Sequence, residues 1–395
     1  MSTRKLRRTI SASAGATSRM KNFVFNGQVQ RVVFGNGSLS QLPLEIAQLG
    51  AHRALVLSTP EQRGAAQRIV DLLGDRAAGI FDRAVMHVPI EVAREARELA
   101  RRLNADCAVT FGGGSTTGLG KAIALDSGLP IISLPTTYAG SEMTPIYGIT
   151  EGGLKKTGKD FRVLPRTVIY DPQLTLGLPV PMSISSGINA IAHAAEGLYS
   201  SDSNPIMDLM AVEGIAAMAR ALPVIAAAGL QVTSLDAAGL RATALLASRN
   251  DAEDSVGDAR TQALYGAWLC GAVLGNVGMG LHHKLCHTLG GTFNLPHAQT
   301  HTIVLPHALA YNANAAPQAM SKIAAALNAE SAPRALFQLA QRHGAAVALR
   351  DIGMQRGDLE RACDLALMNQ YPNPRPLQRE AIRELLQHAF EGVSP

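Results

Sequence analysis

The chain has 395 residues, of which 47% are hydrophobic and 17% charged, and its formal net charge is +5. This composition excludes an intrinsically disordered protein, and the length suits two domains. The four cysteines are widely spaced and form no CxxC pair, which argues against a disulfide framework or a thiolate zinc site and favours a reducing cytoplasm; they are Cys107, Cys270, Cys286 and Cys363.

The first 20 residues account for the charge imbalance. They contain five basic and no acidic residues, which leaves 31 basic and 31 acidic residues in the remainder. The body of the chain is therefore neutral, and the basic pI does not indicate a nucleic-acid-binding surface. We predict that residues 1–19 are a disordered basic extension or an over-long start. A transit peptide is the alternative, because the segment is rich in Ser and Arg, although it shows no clear amphipathic period.

Residues 20–180 alternate between short apolar runs and helical patterns, which predicts an α/β, Rossmann-like domain. The predicted strands are RVVFG, RALVLSTP, AGIFDRAV, CAVTFGGG and PIISLPTT, and PIEVAREARELARRLNA is a predicted helix. Such alternation produces a parallel sheet flanked by helices, and ligands bind outside the carboxyl ends of its strands.

Two polar segments follow predicted strands. FGGGSTTGLGKAIAL, residues 111–125, places Gly112, Gly113, Gly114 and Ser115 between a strand and a helix. Glycines allow close approach of a ligand, and a helix amino terminus favours anions, so we predict contact with a dinucleotide pyrophosphate. The segment is not a GxGxxG fingerprint, and a purely packing role is the alternative.

PTTYAGSEMT, residues 135–144, follows the next strand, and its small hydroxyl residues suit phosphate, ribose or amide contacts, with a capped turn as the alternative; they are Thr136, Thr137 and Ser141. The strand RALVLSTP ends at Ser58 and Thr59 rather than at an acidic residue. An acidic residue there would bind the ribose 2′-hydroxyl of NADH and repel a 2′-phosphate. We therefore expect both NADH and NADPH to be accepted.

Residues 181–395 are predicted to form an all-α domain, with SLDAAGLRATALLASRND and PRALFQLAQRHGAAVALRDIG as amphipathic helices. The uncharged stretch at 263–281 has nearly the length of a membrane span. It contains five glycines and Asn276 and leads directly into LHHKLCH, so we predict a buried central helix instead.

Histidines dominate this second half, with six of the chain's eleven in residues 281–307. His283 and His287 share a helical face, Gly290 and Gly291 are predicted to end that helix, and His297 follows a proline. In INAIAHAAEG, residues 188–197, Asn189 and His193 also share a face. These clusters predict a ligand or acid–base site, whereas His301 and His307 are interpreted as structural.

The ordered combination of GGGS, PTTYAGSE, N-x-x-x-H and H-x-x-x-H…PH resembles the iron-containing alcohol dehydrogenase superfamily from about residue 22 to 390. Within it, GLKKTGKDFRVLPRTVIYDP and LHHKLCHTLGGTFNLPHAQTH look like the maleylacetate reductase branch. The resemblance implies a dehydroquinate synthase-like architecture, a cleft that binds NADH or NADPH, and a homodimer. It also implies reduction of the C=C bond of maleylacetate to 3-oxoadipate in bacterial breakdown of aromatic compounds, with substituted maleylacetates as further candidate substrates.

The resemblance also assigns roles to residues. Metal-dependent relatives hold their ion at the places of Asn189, His193, His283 and His297, but a neutral Asn replaces their Asp, so we expect no tightly bound metal. By the same resemblance, His287 lies near the nicotinamide and Lys155 near the cofactor, although adjacent Lys156 leaves that register open. Gly118 stands where many alcohol dehydrogenases have Asp.

We expect the three metal-position histidines to line the reacting centre, one as the acid, and Asn189 to contribute a hydrogen bond. Lys284 and Arg162 are candidate partners for substrate carboxylates, with solvated surface charges as the alternative. The rival functions are a metal-dependent alcohol or glycerol dehydrogenase, a lyase of the dehydroquinate synthase type, and a catalytically inactive binding protein.

Overall fold

In this computed structural model, the described residues are Phe23, Phe25, Gly27, Gln28 and residues 30–152, 154–238, 245–368 and 371–395; the side chains of 229–238 and 245–254 are not described. The predicted basic extension, residues 1–19, lies outside the described residues.

Six parallel strands form the central sheet in the order β1-β8-β5-β4-β2-β3. All five predicted strands are present, and TVIY adds β8, which the sequence prediction missed. The strands are β1 (Arg31–Phe34), β2 (Ala54–Leu57), β3 (Ala77–Phe81), β4 (Cys107–Gly112), β5 (Ile131–Pro135) and β8 (Thr167–Tyr170). Every residue of β2, β4, β5 and β8 is buried, as expected for a parallel sheet covered on both faces.

Helices pack on the two faces of this sheet. One apolar cluster includes Leu42, Ile46 and Ile69 from the first two helices, and a second includes Ala93, Ala96 and Ile123 from the next two. The helices are α1 (Leu42–Gln48), α2 (Arg63–Leu73), α3 (Ile90–Arg102) and α4 (Gly114–Ser127). The predicted α/β architecture is therefore confirmed.

An antiparallel hairpin of β6 (Ile146–Glu151) and β7 (Leu154–Lys159) stands apart from the sheet. The sequence analysis did not predict it. The reason is that LKKTGK is rich in Lys and contains Gly, residue types that are depleted in strands. The hairpin nevertheless matters, because it carries Lys155.

All the regular elements described from Val180 onward are helical. The bounds are α5 (Val180–Leu198), α6 (Pro205–Ala238), α7 (Leu245–Asn276), α8 (Leu281–Phe293), α9 (His297–Asn312), α10 (Pro317–Ala326), α11 (Ala332–Arg342), α12 (Leu359–Leu367) and α13 (Arg379–Glu391). Short 3₁₀ turns occur between several of them.

Two sequence predictions need correction at element ends, and a third is only partly covered by the described residues. The helix predicted over residues 234–251 includes residues 239–244, which lie outside the described residues. The helix predicted over 333–353 ends at Arg342, because Gly344 adopts a left-handed conformation (φ 71°). The helix predicted to end at Gly290 continues through both glycines to Phe293 and ends at Asn294, which is left-handed (φ 54°).

The uncharged stretch 263–281 is not one helix, because α7 ends at Asn276 and the chain turns by 95° into α8. By length and composition alone, Pro205–Ala228 is apolar enough to cross a membrane, and half of its most apolar window is buried inside the protein. The core helix of a globular protein has the same properties.

The loop after β5 connects the sheet to the helices. Gly140 contacts Gly271 of α7 so closely that a Cβ on Gly271 would lie 2.5 Å from the Gly140 carbonyl oxygen. The Arg260 guanidinium donates to the hydroxyl of Tyr138 at 2.9 Å and to that of Ser183 at 2.7 Å. Small residues thus let two backbones touch, and a buried cation links the loop to α5 and α7.

The Gly140–Gly271 contact generates a stability prediction. Gly271→Ala should lower the free energy of unfolding by about 1–3 kcal/mol, because the backbone has to shift to admit the methyl group. The control is Gly64→Ala in α2, where no atom lies within 4 Å of an added Cβ and the better helix former should be neutral or stabilising. Urea unfolding of both variants measures the difference, and equal effects would contradict the packing argument.

Candidate active site

The glycine loop lies between β4 and α4, as predicted. Gly112 has φ 146°, and a Cβ there would lie 2.7 Å from both Gln62 Oε1 and Thr116 Oγ1. A Cβ on Gly113 would lie 2.9 Å from Thr137. No side chain caps the amino terminus of α4, and Gly114 is exposed there. The residues therefore fit a phosphate group, since the space is kept by glycines and free helix amides face it.

The predicted hydroxyl residues lie at the same edge of the sheet, because β2, β4 and β5 are neighbouring parallel strands. The Thr136 amide donates to the Gly112 carbonyl at 3.0 Å, and Gln62 Nε2 donates to Thr136 Oγ1 at 3.0 Å. The hydroxyls of Ser58 and Ser141 are buried without a partner among the described residues. Unpaired buried hydroxyls are costly and indicate places for a ligand or water.

Asn189 and His193 lie on one face of α5 and both contact the loop after β5. The Ala139 carbonyl accepts from Asn189 Nδ2 at 3.5 Å, a weak contact, and from His193 Nε2 at 3.1 Å. Both side chains are buried, and Asn189 Oδ1 has no partner among the described residues. The loop of the sheet region thereby fixes the orientation of the helical residues.

His283 joins His193 to a buried carboxylate. His193 Nδ1 and His283 Nε2 are 2.8 Å apart, and His283 Nδ1 lies 2.6 Å from Glu196 Oε2. The amides of Gly280, His282 and His283 donate to the two Glu196 oxygens at 2.9–3.2 Å. Glu196 therefore occupies the anion-binding amino terminus of α8 and positions the His283 ring.

His301, interpreted from sequence as structural, lies inside the histidine cluster. Its ring centroid is 4.2 Å from that of His297, 4.7 Å from that of His282 and 5.0 Å from that of His283. It is fully buried, and neither ring nitrogen has a partner among the described residues. His307, the other histidine interpreted as structural, is buried 6.5 Å from the ring of Phe337.

Donor atoms of His282, Cys286 and His301 lie within 4.8 Å of one another, as metal ligands do. However, His282 Nε2 already contacts the His301 carbonyl at 3.1 Å. Burial, with Glu196 nearby, raises the pKa of the Cys286 thiol well above its usual value, which disfavours the thiolate that binds metals. We therefore interpret this group as packing.

His287 and Lys155 face each other across the cleft between sheet and helices. His287 lies at the accessible edge of the cleft. Desolvation by the surrounding protein, and second the charge of Lys155, lower the pKa of His287. Lys155 is half-buried, and Lys156 points away from it to pair with Glu151 at 2.7 Å. Of the two lysines, Lys155 therefore lies beside α8, whereas Lys156 lies on the exposed side of the hairpin.

The two candidate carboxylate partners differ. Lys284 Nζ lies 6.0 Å from the centroid of the Tyr371 ring, and its charge also lowers the pKa of His287. Arg162 is exposed and forms an ion pair with Asp160 at 2.7 Å. Among the described residues, no contact joins Arg162 to the histidines. The structure therefore places Arg162 outside the site and favours the alternative, a solvated surface charge.

Sequence reasoning missed three polar members of the site: Glu196, His282 and His301. Spacing could have identified two of them. Glu196 follows Asn189 and His193 on the same face of α5 at intervals of seven and three, and His301 follows His297 by four residues. His282 adjoins His283 and carries no such signal.

The buried histidines generate a pH prediction. Burial first, and the neighbouring His283 second, lower the pKa of both His193 and His282 to about 3; burial also lowers that of His301. In the unfolded chain these rings titrate near 6.5. The folded state is therefore most stable above about pH 6.5, where these rings are neutral in both states. The free energy of unfolding falls as the pH drops towards 3, by roughly 2 kcal/mol for each ring at about pH 5.

Urea unfolding at about pH 7 and pH 5 measures this effect, in a range above the titration of ordinary carboxylates. Equal stability at the two pH values would show that the rings do not stay neutral when the protein folds.

Comparison with known proteins agrees with this architecture. The family model for iron-containing alcohol dehydrogenase matches residues 29–172, and the carboxyl-terminal model of the same family matches residues 183–248 and 232–390. A maleylacetate reductase of Burkholderia cepacia is 61% identical over 95% of this chain and 100% of its own length.

Solved structures give the same result. The crystal structure of maleylacetate reductase from Agrobacterium tumefaciens is 50% identical, with a TM-score of 0.84, and covers 95% of this chain and 100% of its own. The crystal structure of a putative alcohol dehydrogenase from Ralstonia eutropha JMP134 is 60% identical, with a TM-score of 0.87. The match covers 95% of this chain and 99% of that chain. The chain belongs to the iron-containing alcohol dehydrogenase family.

Proposed function

We propose that the protein is an oxidoreductase that uses NADH or NADPH to reduce the C=C bond of maleylacetate, with 3-oxoadipate as the product. The observation that carries the proposal is the site itself. The site combines a glycine loop with a buried histidine cluster that contains the neutral amide of Asn189, at the position where the family resemblance implies a metal-binding carboxylate. The similarity to maleylacetate reductases over nearly the whole chain supports it.

The reaction balances without a metal. NADH or NADPH, held by the glycine loop and the hydroxyl residues beside it, would supply a hydride to the alkene carbon beta to the ketone. The electron pair of the C=C bond moves toward the ketone, and the resulting enolate takes a proton at the neighbouring carbon. An enolate is a weaker base than the alkoxide of an alcohol dehydrogenase, so hydrogen bonds can stabilise it.

The hydrogen bonds of the cluster show how the chain can hold a proton. The Ala139 carbonyl requires an N–H on His193 Nε2, which leaves Nδ1 as the acceptor from His283 Nε2. The other His283 nitrogen faces Glu196, whose oxygens accept from three amides. One additional proton must therefore lie between His283 and Glu196, since otherwise two lone pairs would face each other.

His287 and His297 are the histidines placed to contact substrate. His287 is exposed and His297 is partly exposed, and neither side chain forms a hydrogen bond among the described residues. Burial lowers the pKa of His297 well below its usual value, so its ring is neutral near pH 7. A neutral imidazole N–H can still donate to a developing oxyanion.

We further propose that no metal is tightly bound. Asn189 offers no charge, and it directs its amide N–H at the Ala139 carbonyl. His193 and His283 use their ring nitrogens on each other, on Ala139 and on Glu196. This donor set does not fit a tight divalent site, whose affinity depends on an anionic ligand and free imidazole nitrogens.

The remaining assignments extend this proposal. Ser58, Thr59, the glycine loop, Thr136, Thr137 and Ser141 would contact the cofactor, and Lys284 a substrate carboxylate. Lys155, which the resemblance places near the cofactor, lies against α8 and is a candidate to contact either ligand. The four cysteines are free and buried, consistent with a reducing cytoplasm. We expect a homodimer, which light scattering on the purified protein measures, and a role in the breakdown of aromatic compounds.

The central test measures consumption of NADH and of NADPH with freshly prepared maleylacetate, before and after exhaustive EDTA treatment, with metal content determined on the same sample. We expect turnover with both cofactors and less than a twofold change on metal removal, on the general ground that hydrogen bonds replace the ion. Activity that disappears with EDTA and returns with Fe²⁺ or Zn²⁺ would instead indicate a metal-dependent alcohol dehydrogenase-like site.

A second test restores the missing charge. Asn189→Asp places a buried carboxylate against the Ala139 carbonyl, and should lower the free energy of unfolding in EDTA by about 1–3 kcal/mol. Zn²⁺ should reverse this loss, because three histidines and an aspartate then surround the ion. The matched control is Asn204→Asp, a buried helix cap where Asp caps as well as Asn does.

Thermal or urea unfolding with and without Zn²⁺ supplies the measurement. If Zn²⁺ stabilises both variants equally, or neither, the argument that Asn189 decides metal binding is wrong.

A further inference from the structure

Two basic side chains of the sheet region face the last turns of α8. His87 Cε1 lies 3.8 Å from the position of a Cβ on Gly290, and Lys155 Cβ lies 3.7 Å from that of a Cβ on Gly291. The two glycines follow His287 by about one helical turn and share its side of α8. Next to His287 on this side of α8, the two glycines therefore leave a space, and His87 and Lys155 lie around it.

The backbone holds His87 in an unusual conformation. His87 and Val88 are both left-handed, with φ of 66° and 47°. Thr150 stabilises them, since its hydroxyl donates to the His87 carbonyl at 2.8 Å and its amide donates to the Val88 carbonyl at 3.0 Å. Such strain costs about 1–3 kcal/mol per residue and concentrates at ligand sites.

Gly118, which departs from the family pattern, has a physical role here. A Cβ at this position would lie 2.8 Å from Val88 Cγ2. Any side chain on α4 at residue 118 would therefore displace the loop that carries His87. The glycine lets that loop lie directly on α4.

The hairpin places Lys155 beside His87. Thr150, which holds the His87 loop, is also the strand partner of Lys155. Gly148 leaves room for the lysine side chain, because a Cβ there would lie 2.9 Å from Lys155 Cε. One short hairpin therefore fixes both basic groups.

Neither group has its charge or donor satisfied within the described residues. His87 Nε2 is buried without a partner, and no described anion contacts the Lys155 ammonium, which lies close enough to act on His87, His287 and His297. A buried ring nitrogen without a partner indicates a place for a ligand or water. Two adjacent basic groups indicate that this ligand is an anion.

We propose that His87 and Lys155 form the subsite that binds one carboxylate of the dicarboxylate substrate, with His87 as a substrate-positioning residue. This inference rests on the proposed function. From His287 to Gly291 the helix rises about 6 Å, a length comparable to the carbon chain of a short diacid. A carboxylate held at the glycines would therefore place the reactive part of the substrate at the histidines.

Steady-state kinetics with maleylacetate and saturating NADH tests the subsite through His87→Asn and Lys155→Met. Asn tolerates the left-handed conformation, and Met retains the length of the lysine side chain. The matched controls are His52→Asn, an exposed histidine, and Lys156→Met, whose side chain points away from the site.

Each site variant should raise the KM for maleylacetate by roughly ten- to a hundredfold, as expected for loss of a charge-assisted hydrogen bond. The KM for NADH should change less than threefold, and kcat should fall less than KM rises. The controls should stay within threefold of the parent protein. An unchanged KM for maleylacetate would overturn the proposal, and so would an increase confined to the KM for NADH, which would assign the groups to the cofactor.

A binding measurement separates failure of this subsite from failure of the proposed function. If the parent protein does not oxidise NADH with maleylacetate, calorimetry with adipate still tests for a dicarboxylate site. Binding that weakens at least tenfold in His87→Asn and Lys155→Met, but not in the controls, supports the subsite. Absence of adipate binding to the parent protein, or equal binding to all variants, overturns it.

Discussion

One buried ammonium group holds the loop on which both halves of the site depend. Lys121 Nζ donates to the carbonyls of Ser141, Thr144 and Ile146 at 2.6–2.8 Å and contacts Thr144 Oγ1 at 2.9 Å. Burial lowers the pKa of Lys121 to about 7, partly opposed by the carboxylate of Glu142. Removal of this group would leave several buried carbonyls without a donor, at about 1–3 kcal/mol each. The loop could not then present Ala139 to α5.

A series of hydrogen bonds connects that loop to the histidine cluster. Ala139 orients His193, His193 contacts His283, and Glu196 holds His283 at the amino terminus of α8. The two ring nitrogens of His193 contact one partner each, His283 and Ala139, so displacement of this ring would break both hydrogen bonds. The geometry of the reacting centre therefore depends on sheet, α5 and α8 together.

The sequence predicts this fold well because its strands are apolar throughout and end in Gly, Pro, Ser or Thr, features that require no tertiary information. It fails for the hairpin, where Lys155 and Lys156 alternate between cleft and solvent and only the facing helix distinguishes them. It also fails at Gly290 and Gly291, which continue a helix because packing outweighs their poor propensity. Spacing predicts that His193, His283, His287 and His297 belong to one site, but only the structure shows that Glu196 lies at the amino terminus of α8 and contacts His283.

A neutral amide, rather than a carboxylate, at position 189 also fits the charge balance of the cleft. A dicarboxylate substrate brings two negative charges into the cleft. A further anion at position 189 without a metal would oppose binding, whereas the amide keeps a similar shape without the charge. The chain instead places its positive charges at the edge, on Lys155 and Lys284, where carboxylates can bind while the buried rings stay neutral. Under the proposed function, a metal-free site and recognition of a diacid would thus be two aspects of one electrostatic arrangement.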